Sequence, residues 1–175
     1  MTTFTGLHVD PLNITLEQIN IEDIAHALAL TNRFGGHTPV PINVAQHSVV
    51  VSSLCPARQA LRGLLHDASE AYLGDIPKPL KCLAPFKQYL EVEEELQTRI
   101  YTKYGCAGAP WDKVVKADRL ALEVEVAISF PMAVRPIQPS PSAALLAKTY
   151  SVWPWKKAER MFLERFHALC TLPIV

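Results

Sequence analysis

The residues with most potential for chemistry lie together in the segment ALRGLLHDASEAYLGDIPKPLK, residues 60–81. His66 and Asp67 are adjacent, and on a helix their side chains would be about 100° apart around the axis, so both can reach one ion. Glu70 follows one helical turn later on the same face, and Asp75 comes after it in a proline-stiffened loop. An imidazole and three carboxyl groups this close together indicate a cation site.

Two further candidates come from other segments. His47 and Asp118 both have apolar neighbours at helical spacing, namely Val44, Val50 and Val51 around the first and Val114, Val115, Ala121 and Leu122 around the second. A carboxylate on an apolar face must be paired or bound to metal, because burying a bare charge is very costly. Taken alone, His47 is better explained as a core histidine. An ion pair with Arg119 or Lys116 is the alternative for Asp118, which its apolar neighbours disfavour. Together with the central segment, they favour a divalent metal with imidazole and carboxylate ligands.

Proline divides the rest of the chain into periodic segments that position these residues. We predict helices at 21–34, at 44–54 after an Asn43 N-cap, and at 56–73, 85–104, 110–129 and 154–170. The strings DIPKPL and PMAVRPIQPSPS are predicted to be loops. The expected fold is all-α, a bundle of about six helices in one domain over residues 1–175. In it, residues 1–20 form an irregular or short-strand arm, and residues 130–175 form a C-terminal loop and helix.

Composition limits the classes of partner. The 175 residues include 49% hydrophobic residues and equal numbers of basic and acidic ones, 17 each, so a general nucleic-acid binder is disfavoured. No apolar run approaches the ~20 residues of a spanning helix, and the first ten residues lack the pattern of a signal peptide. The four cysteines are scattered, which favours a reducing compartment. We therefore expect a soluble, cytoplasmic protein without nucleic-acid or membrane partners.

The order of the four candidate ligands resembles a known family. His47, the His66-Asp67 doublet and Asp118 match the H…HD…D signature of HD-domain phosphohydrolases, at intervals of 19 and 51 residues. The strings NRF, AQHS, HDASEAYLGDIPKPLK and VKAD are most similar to the branch of bacterial 5′-deoxyribonucleotidases and phage dATP triphosphohydrolases. The resemblance covers roughly residues 20–125. The interval between the two histidines is shorter than in the bacterial nucleotidases and resembles the compact phage-type relatives.

The resemblance implies roles for seven residues. The signature residues His47, His66, Asp67 and Asp118 would bind a divalent metal, such as Co, Mn, Zn or Mg. The arginine of NRF, Arg33, would bind phosphate, although its place near two glycines also suits a cation at a helix C-terminus. The carboxyl groups after the doublet, Glu70 and Asp75, would orient or deprotonate the attacking water.

Four more residues are candidates for substrate binding, each with an ordinary alternative. His37 follows the double glycine and either lines the pocket or belongs to a turn. Pro79 is either a pocket wall or a rigid turn residue. Lys81 and Lys116 flank motif residues, where they either bind additional phosphates or remain solvated at the surface.

The predicted function is metal-dependent hydrolysis of a deoxynucleotide, with a dATP-type triphosphohydrolase as the main hypothesis. A 5′-deoxyribonucleotidase that acts on deoxynucleoside monophosphates is the alternative, because the same ligands serve both reactions. A non-catalytic nucleotide-binding HD module is a second alternative, although no metal or water-handling position is missing. Phosphodiesterase action on RNA or cyclic nucleotides is disfavoured by the neutral charge balance. We also expect a homo-oligomer.

Overall fold

Helices make up nearly all the regular structure of residues 1–171, the part of the chain that the computed structural model describes. The α-helices in this part are α1 (Ile21–Leu30), α2 (Val44–Leu54), α3 (Ala57–Leu64), α4 (Glu70–Leu73), α5 (Lys78–Lys81), α6 (Lys87–Lys103), α7 (Asp112–Ser129), α8 (Pro141–Ala147) and α9 (Trp155–Thr171). Short 3-10 helices span Arg33–Gly36, Ala84–Phe86 and Met132–Val134. Within the same residues, isolated β-bridges occur but no strand. The predicted all-α class is confirmed, with nine α-helices over residues 1–171 in place of about six.

Helix α2 lies at the centre and contacts α1, α3, α7 and α9. Its predicted N-cap is confirmed, since the Asn43 side chain accepts a hydrogen bond from the Gln46 backbone N–H at 2.8 Å. The main core packs around α2 with side chains that include Ile24, Leu28, Leu64, Ile100 and Phe162. A second cluster joins α2 to α7 through Val51, Val114, Ala117 and Ala121. Because α2 is enclosed on most sides, its side chains, His47 among them, face the interior.

The first helix ends at Leu30, earlier than the predicted residue 34. The chain then runs extended, and the Arg33 N–H donates to the Ile42 carbonyl at 2.8 Å. Phe34 (φ 57°) and Gly35 (φ 59°) have left-handed backbone conformations, which a right-handed helix does not include. Arg33 therefore lies in a tight loop after α1 and not at a helix C-terminus.

The third predicted helix is interrupted, and this prediction was wrong in its centre. Between α3 and α4 the chain makes a turn that contains His66 and Asp67. Gln97 of α6 explains the interruption, because its amide donates to the Leu65 carbonyl at 2.6 Å and accepts from the Ser69 N–H at 3.0 Å. A continuous helix would pair such backbone groups internally. The doublet is therefore held by a turn and not spaced along a helical face.

The remaining predicted helices agree more closely with the structure. Helices α6, α7 and α9 begin and end within two residues of the predicted bounds. Both predicted loops contain helical residues that the proline content obscured. Helix α5 takes in the second half of DIPKPL and the following lysine, and α8 begins at Pro141, within the last two residues of PMAVRPIQPSPS. No helix among residues 1–171 is long and apolar enough to cross a membrane.

The N-terminal arm is irregular, as predicted, with one β-bridge between Thr2 and His8. It is attached to α1 by Asp23, whose carboxylate accepts hydrogen bonds from the Thr5 backbone N–H at 2.7 Å and hydroxyl at 2.9 Å. Asp23 is buried. It therefore binds the arm to the helix bundle.

Candidate metal centre

Four side chains from three parts of the fold converge on one point. His47 projects from α2, His66 and Asp67 from the turn after α3, and Asp118 from α7. The Nε2 atom of His47 lies 3.2 Å from Nε2 of His66 and 3.1 Å from Oδ1 of Asp118. The Nε2 atom of His66 lies 3.1 Å from Oδ2 of Asp67. The structure thus brings together all four residues predicted to bind metal.

Hydrogen bonds at the far side of each imidazole ring fix its orientation. Nδ1 of His66 lies 2.8 Å from the Gly63 carbonyl oxygen, which can only accept, so this nitrogen is the donor. Nδ1 of His47 lies 2.8 Å from a carboxylate oxygen of Glu125, which also accepts. When both rings are neutral, each carries its proton on Nδ1, and the Nε2 lone pairs of the two rings point toward each other.

This donor set fits a divalent metal ion. Two lone pairs directed at each other repel unless a proton or a cation lies between them, and two carboxylates at the same point strengthen the preference for a cation. Ligands of zinc-like ions lie about 2.0–2.2 Å from the metal, which puts neighbouring ligand atoms roughly 3–3.5 Å apart. The Nε2 atoms of the two histidines lie 3.1 to 3.8 Å from each other and from the nearest oxygens of Asp67 and Asp118. His47, His66 and Asp67 in particular form a compact group that could hold a metal ion.

The electrostatic environment keeps both aspartates ionised. Burial alone would raise the pKa of Asp67, but the neighbouring His66 and His47 outweigh it and hold this pKa well below its usual range. Burial also acts to raise the pKa of Asp118, but the hydrogen bond with His47 outweighs burial, and this pKa is lowered. The pKa of His47 is lowered by burial and by Arg33, and is raised to about 9 by carboxylates that outweigh both. A metal ion therefore competes with a proton for His47.

Glu125 of α7 is a site residue that the sequence analysis missed. Its side chain is fully buried, and its second oxygen accepts a hydrogen bond from Arg33 Nε at 2.9 Å. Although burial raises the pKa of Glu125, Arg33 and His47 lower it further than burial raises it. A sequence signal existed, because Glu125 lies seven residues after Asp118, or about two turns further on the same helix face.

A cavity of about 600 Å³ opens beside the four converging residues. Its lining contains most of the predicted site residues, namely Arg33, Asp67, Glu70, Asp75, Pro79, Lys81 and Asp118. Nη1 of Arg33 lies 3.4 Å from Oδ2 of Asp67, so the guanidinium group borders both the convergence point and the cavity. Burial is the main cause that raises the pKa of Glu70 and of Asp75 above their usual values.

The predicted lysine and histidine contacts are less favourably placed. Nζ of Lys81 is already paired with Glu93 at 2.7 Å and lies 3.6 Å from Glu70. Among residues 1–171, the lining of this cavity includes neither His37 nor Lys116, and both are exposed. Lys78 lines the cavity instead.

The chain aligns with about two thirds of the length of one known protein. The chain is 42% identical over 123 residues to YfdR of Escherichia coli K12, an uncharacterized protein, with 70% of this chain and 68% of YfdR in the alignment. No protein-family model matches the chain.

More distant similarity connects the chain to proteins named for an activity. It is 31% identical over 96 residues to a 5′-deoxynucleotidase of Vibrio parahaemolyticus, with 53% of this chain and 41% of that protein aligned. It is 32% identical over 92 residues to a 5′-deoxynucleotidase of Vibrio cholerae, with 50% and 39% aligned. The matched segments thus span only about two fifths of these two enzymes.

Proposed function

The chain belongs to the same family as YfdR, and its similarity to the 5′-deoxynucleotidases supports an HD-type family. From this we propose that it is a divalent-metal-dependent phosphohydrolase. The proposed reaction removes the 5′-phosphate from deoxynucleoside monophosphates: water attacks phosphorus, the bond to the 5′ oxygen breaks, and nucleoside and orthophosphate are released. The similarity to proteins named 5′-deoxynucleotidase supports this reaction.

The observation that carries the proposal is the pair of imidazole Nε2 atoms that face each other at 3.2 Å, with Asp67 and Asp118 beside them. His47, His66, Asp67 and Asp118 would together hold the ion. When bound, a divalent ion polarises a phosphoryl oxygen and lowers the pKa of water.

The balance of charge around the cavity gives independent support. The carboxyl groups at or beside it are Asp67, Glu70, Asp75, Asp118 and Glu125, and the nearby basic side chains are Arg33, Lys78 and Lys81. Lys81 is paired with Glu93, and Arg33 with Glu125. The pKa values of Asp67, Asp118 and Glu125 are lowered, so these three carboxyl groups are ionised. They would repel a phosphate group without an added cation, so substrate and metal are expected to bind together.

Arg33 is the proposed phosphate-binding residue. Its Nε is held by Glu125, which leaves the terminal nitrogens beside the cavity to donate to phosphate oxygens in a charge-assisted pair.

Glu70 and Asp75 are the proposed proton-transfer residues. Glu70 lines the cavity, and its buried Oε2 atom has no hydrogen-bond partner among residues 1–171. Burial raises the pKa of Glu70 to about 10, so without a nearby cation Glu70 is protonated near neutral pH. A cation held by the four residues would favour the ionised form of Glu70, which can take a proton from the attacking water. Asp75, on the same cavity wall, can orient that water and help to return the proton to the departing 5′ oxygen.

A monophosphate substrate has better support than a triphosphate. The triphosphohydrolase hypothesis needs free cations for the second and third phosphates. Of the two lysines in the cavity lining, Lys81 is engaged by Glu93, which leaves Lys78 alone for two further phosphates. Lys116 is exposed and lies outside the lining formed by residues 1–171. The named relatives are nucleotidases, which fits the same preference.

A nucleotide panel tests the proposal. The protein is incubated with dAMP, dCMP, dGMP, dTMP, AMP and dATP, each with Mn²⁺, Co²⁺, Zn²⁺ or Mg²⁺, and the products are followed by malachite-green assay and chromatography. We expect orthophosphate and nucleoside from at least one deoxynucleoside monophosphate, and none from a His66→Ala variant. Triphosphate release from dATP would favour the triphosphohydrolase hypothesis. Nucleotide binding without any product would support the non-catalytic module.

A further inference from the structure

We propose that Glu125 is a positioning residue that orients two separate parts of the site, the metal ligand His47 and the phosphate-binding Arg33. This inference rests on the proposed function for the role of Arg33. It extends that function by assigning the alignment of both groups to one buried carboxylate.

The contacts of Glu125 assign one oxygen to each partner. Oε1 accepts a hydrogen bond from Nδ1 of His47 at 2.8 Å, and Oε2 accepts one from Nε of Arg33 at 2.9 Å. The side chains of Glu125, His47 and Arg33 are 1%, 0% and 13% exposed. Because these groups are largely shielded from solvent, water cannot readily replace either hydrogen bond.

The first contact determines which nitrogen of His47 is available to a metal. A neutral imidazole carries its proton on one nitrogen and its lone pair on the other. The acceptor at Nδ1 keeps the proton there and leaves the lone pair on Nε2, which faces His66 and Asp118. Without that acceptor, the ring could place its proton on Nε2 and direct it at the metal.

The second contact fixes a side chain whose backbone lies outside a helix. Arg33 is located in the loop after α1, where Phe34 and Gly35 have left-handed backbone conformations. Glu125 holds the guanidinium group by Nε, and Nη1 then lies 3.4 Å from Oδ2 of Asp67. The anchored Nε orients the remaining nitrogens toward the edge of the cavity.

Only a carboxylate can serve both partners in this geometry. Its two oxygens both accept, whereas a glutamine amide of the same shape presents one acceptor and one donor. In a Glu125→Gln variant the amide NH₂ must face either Arg33 Nε–H or His47 Nδ1. It either opposes a donor or forces the imidazole into the wrong tautomer.

The experiment compares Glu125→Gln with a matched control, Glu123→Gln. Glu123 is also buried, belongs to the same helix, and binds Arg119 and the Ser140 backbone N–H. Calorimetry measures binding of Co²⁺ and then of orthophosphate to the cobalt-loaded protein. We expect Glu125→Gln to weaken Co²⁺ binding by about 10–100-fold and orthophosphate binding by about tenfold or more, with Glu123→Gln close to wild type in both.

A second variant keeps the test independent of folding. Arg33→Gln/Glu125→Gln removes both members of the buried ion pair, so no unpaired guanidinium is left in the interior. This double variant should still bind Co²⁺ about tenfold more weakly than Arg33→Gln alone, because the neutral amide at position 125 accepts the Nδ1 proton of His47 more weakly than the carboxylate does. In the zinc-loaded wild-type protein, NMR should also detect the Nδ1 proton of His47 in a strong hydrogen bond.

The inference would be overturned if folded Glu125→Gln bound Co²⁺ within about twofold of the wild type, or if the double variant did so relative to Arg33→Gln. An equal loss of Co²⁺ affinity in Glu123→Gln would also overturn it. So would an NMR spectrum of the zinc-loaded protein that shows no proton on Nδ1 of His47. These binding measurements need no turnover. A positive result in a protein that hydrolyses no nucleotide would therefore reject the proposed function and keep the role of Glu125 toward the metal.

Discussion

At the scale of single residues, the site depends on which atoms are left free after the structural hydrogen bonds are made. Gly63 and Glu125 occupy the Nδ1 atoms of the two histidines, so the Nε2 atoms remain for a metal. The convergence of His47, His66, Asp67 and Asp118 could be predicted from the sequence because their residue types and order form a recognisable pattern. Glu125 could not be identified with equal ease, since a buried glutamate resembles any other helical glutamate until its partners from distant segments are known.

Glu70 and Asp75 provide a prediction at this scale. Replacing either with its amide, as Glu70→Gln or Asp75→Asn, should lower kcat by about 10²–10⁴-fold, because the amide cannot accept the proton of the attacking water. Metal binding should change little, since neither residue is one of the four ligands. Steady-state kinetics together with a metal titration measure both effects.

An exposed glutamate of α6 serves as the control for this pair. Glu94→Gln changes the same functional group outside the cavity and should leave kcat near the wild-type value. If Glu70→Gln and Asp75→Asn were as active as Glu94→Gln, neither residue would have the proposed role in proton transfer.

At the scale of elements, the helices that surround the site were mostly predictable, but the turn that carries it was not. Local patterns predicted α2, α6, α7 and α9 because their caps and apolar spacing lie within each segment. The break between α3 and α4 depends on Gln97, which reaches the turn from α6 and binds Leu65 and Ser69. Tertiary hydrogen bonds of this kind override local helix propensity, and a single segment carries no sign of them.

The packing of α3 against α2 at Gly63 provides a prediction at the scale of elements. A Cβ atom at this position would lie 2.9 Å from Sγ of Cys55 and 3.4 Å from Cα of Ser52, so Gly63→Ala requires the Cys55 side chain to turn away or α3 to move away from α2. We expect a loss of about 1–3 kcal/mol in the free energy of unfolding. Metal binding should also weaken, because the Gly63 carbonyl orients His66.

Urea unfolding and a Co²⁺ titration measure the effect of Gly63→Ala, with Gly108→Ala as the control. An added Cβ at Gly108 would meet nothing within 4 Å. Equal urea midpoints for the two variants would show that the close approach of α2 and α3 at Gly63 does not matter for stability.

At the scale of the whole molecule, the site joins segments that are far apart in sequence, so a bound metal should stabilise the complete fold. The proposed ligands come from α2, the turn after α3, and α7, and Glu125 connects α7 to the loop after α1. Because the chain has equal numbers of basic and acidic residues, the site where an anion binds depends on the positions of a few basic side chains. The homo-oligomer and the single-domain boundaries stay predictions, which a light-scattering mass and limited proteolysis would test.

The dependence of metal binding on pH follows from His47. Its pKa is raised to about 9 by the surrounding carboxylates, so below that pH a metal must displace a proton from this imidazole. The apparent affinity for Co²⁺ should therefore rise by about tenfold per pH unit between pH 6 and 8 and level off near pH 9. At about 100 times the dissociation constant, the metal should raise Tm by about 5–10 °C.

Calorimetric titrations and thermal melts over this pH range measure both effects. A Glu94→Gln variant, changed at the surface away from the ligands, should follow the wild-type curve. An affinity that is constant from pH 6 to pH 9 would show that His47 is not protonated in competition with the metal.

The most direct test of the central claim is a crystal structure of the protein grown with Mn²⁺ or Zn²⁺ and measured at the absorption edge of the metal. We predict an anomalous-difference peak within bonding distance of Nε2 of His47, Nε2 of His66 and one carboxylate oxygen each of Asp67 and Asp118. A fully loaded crystal with its metal elsewhere, or with Asp118 turned away from the ion, would contradict the account.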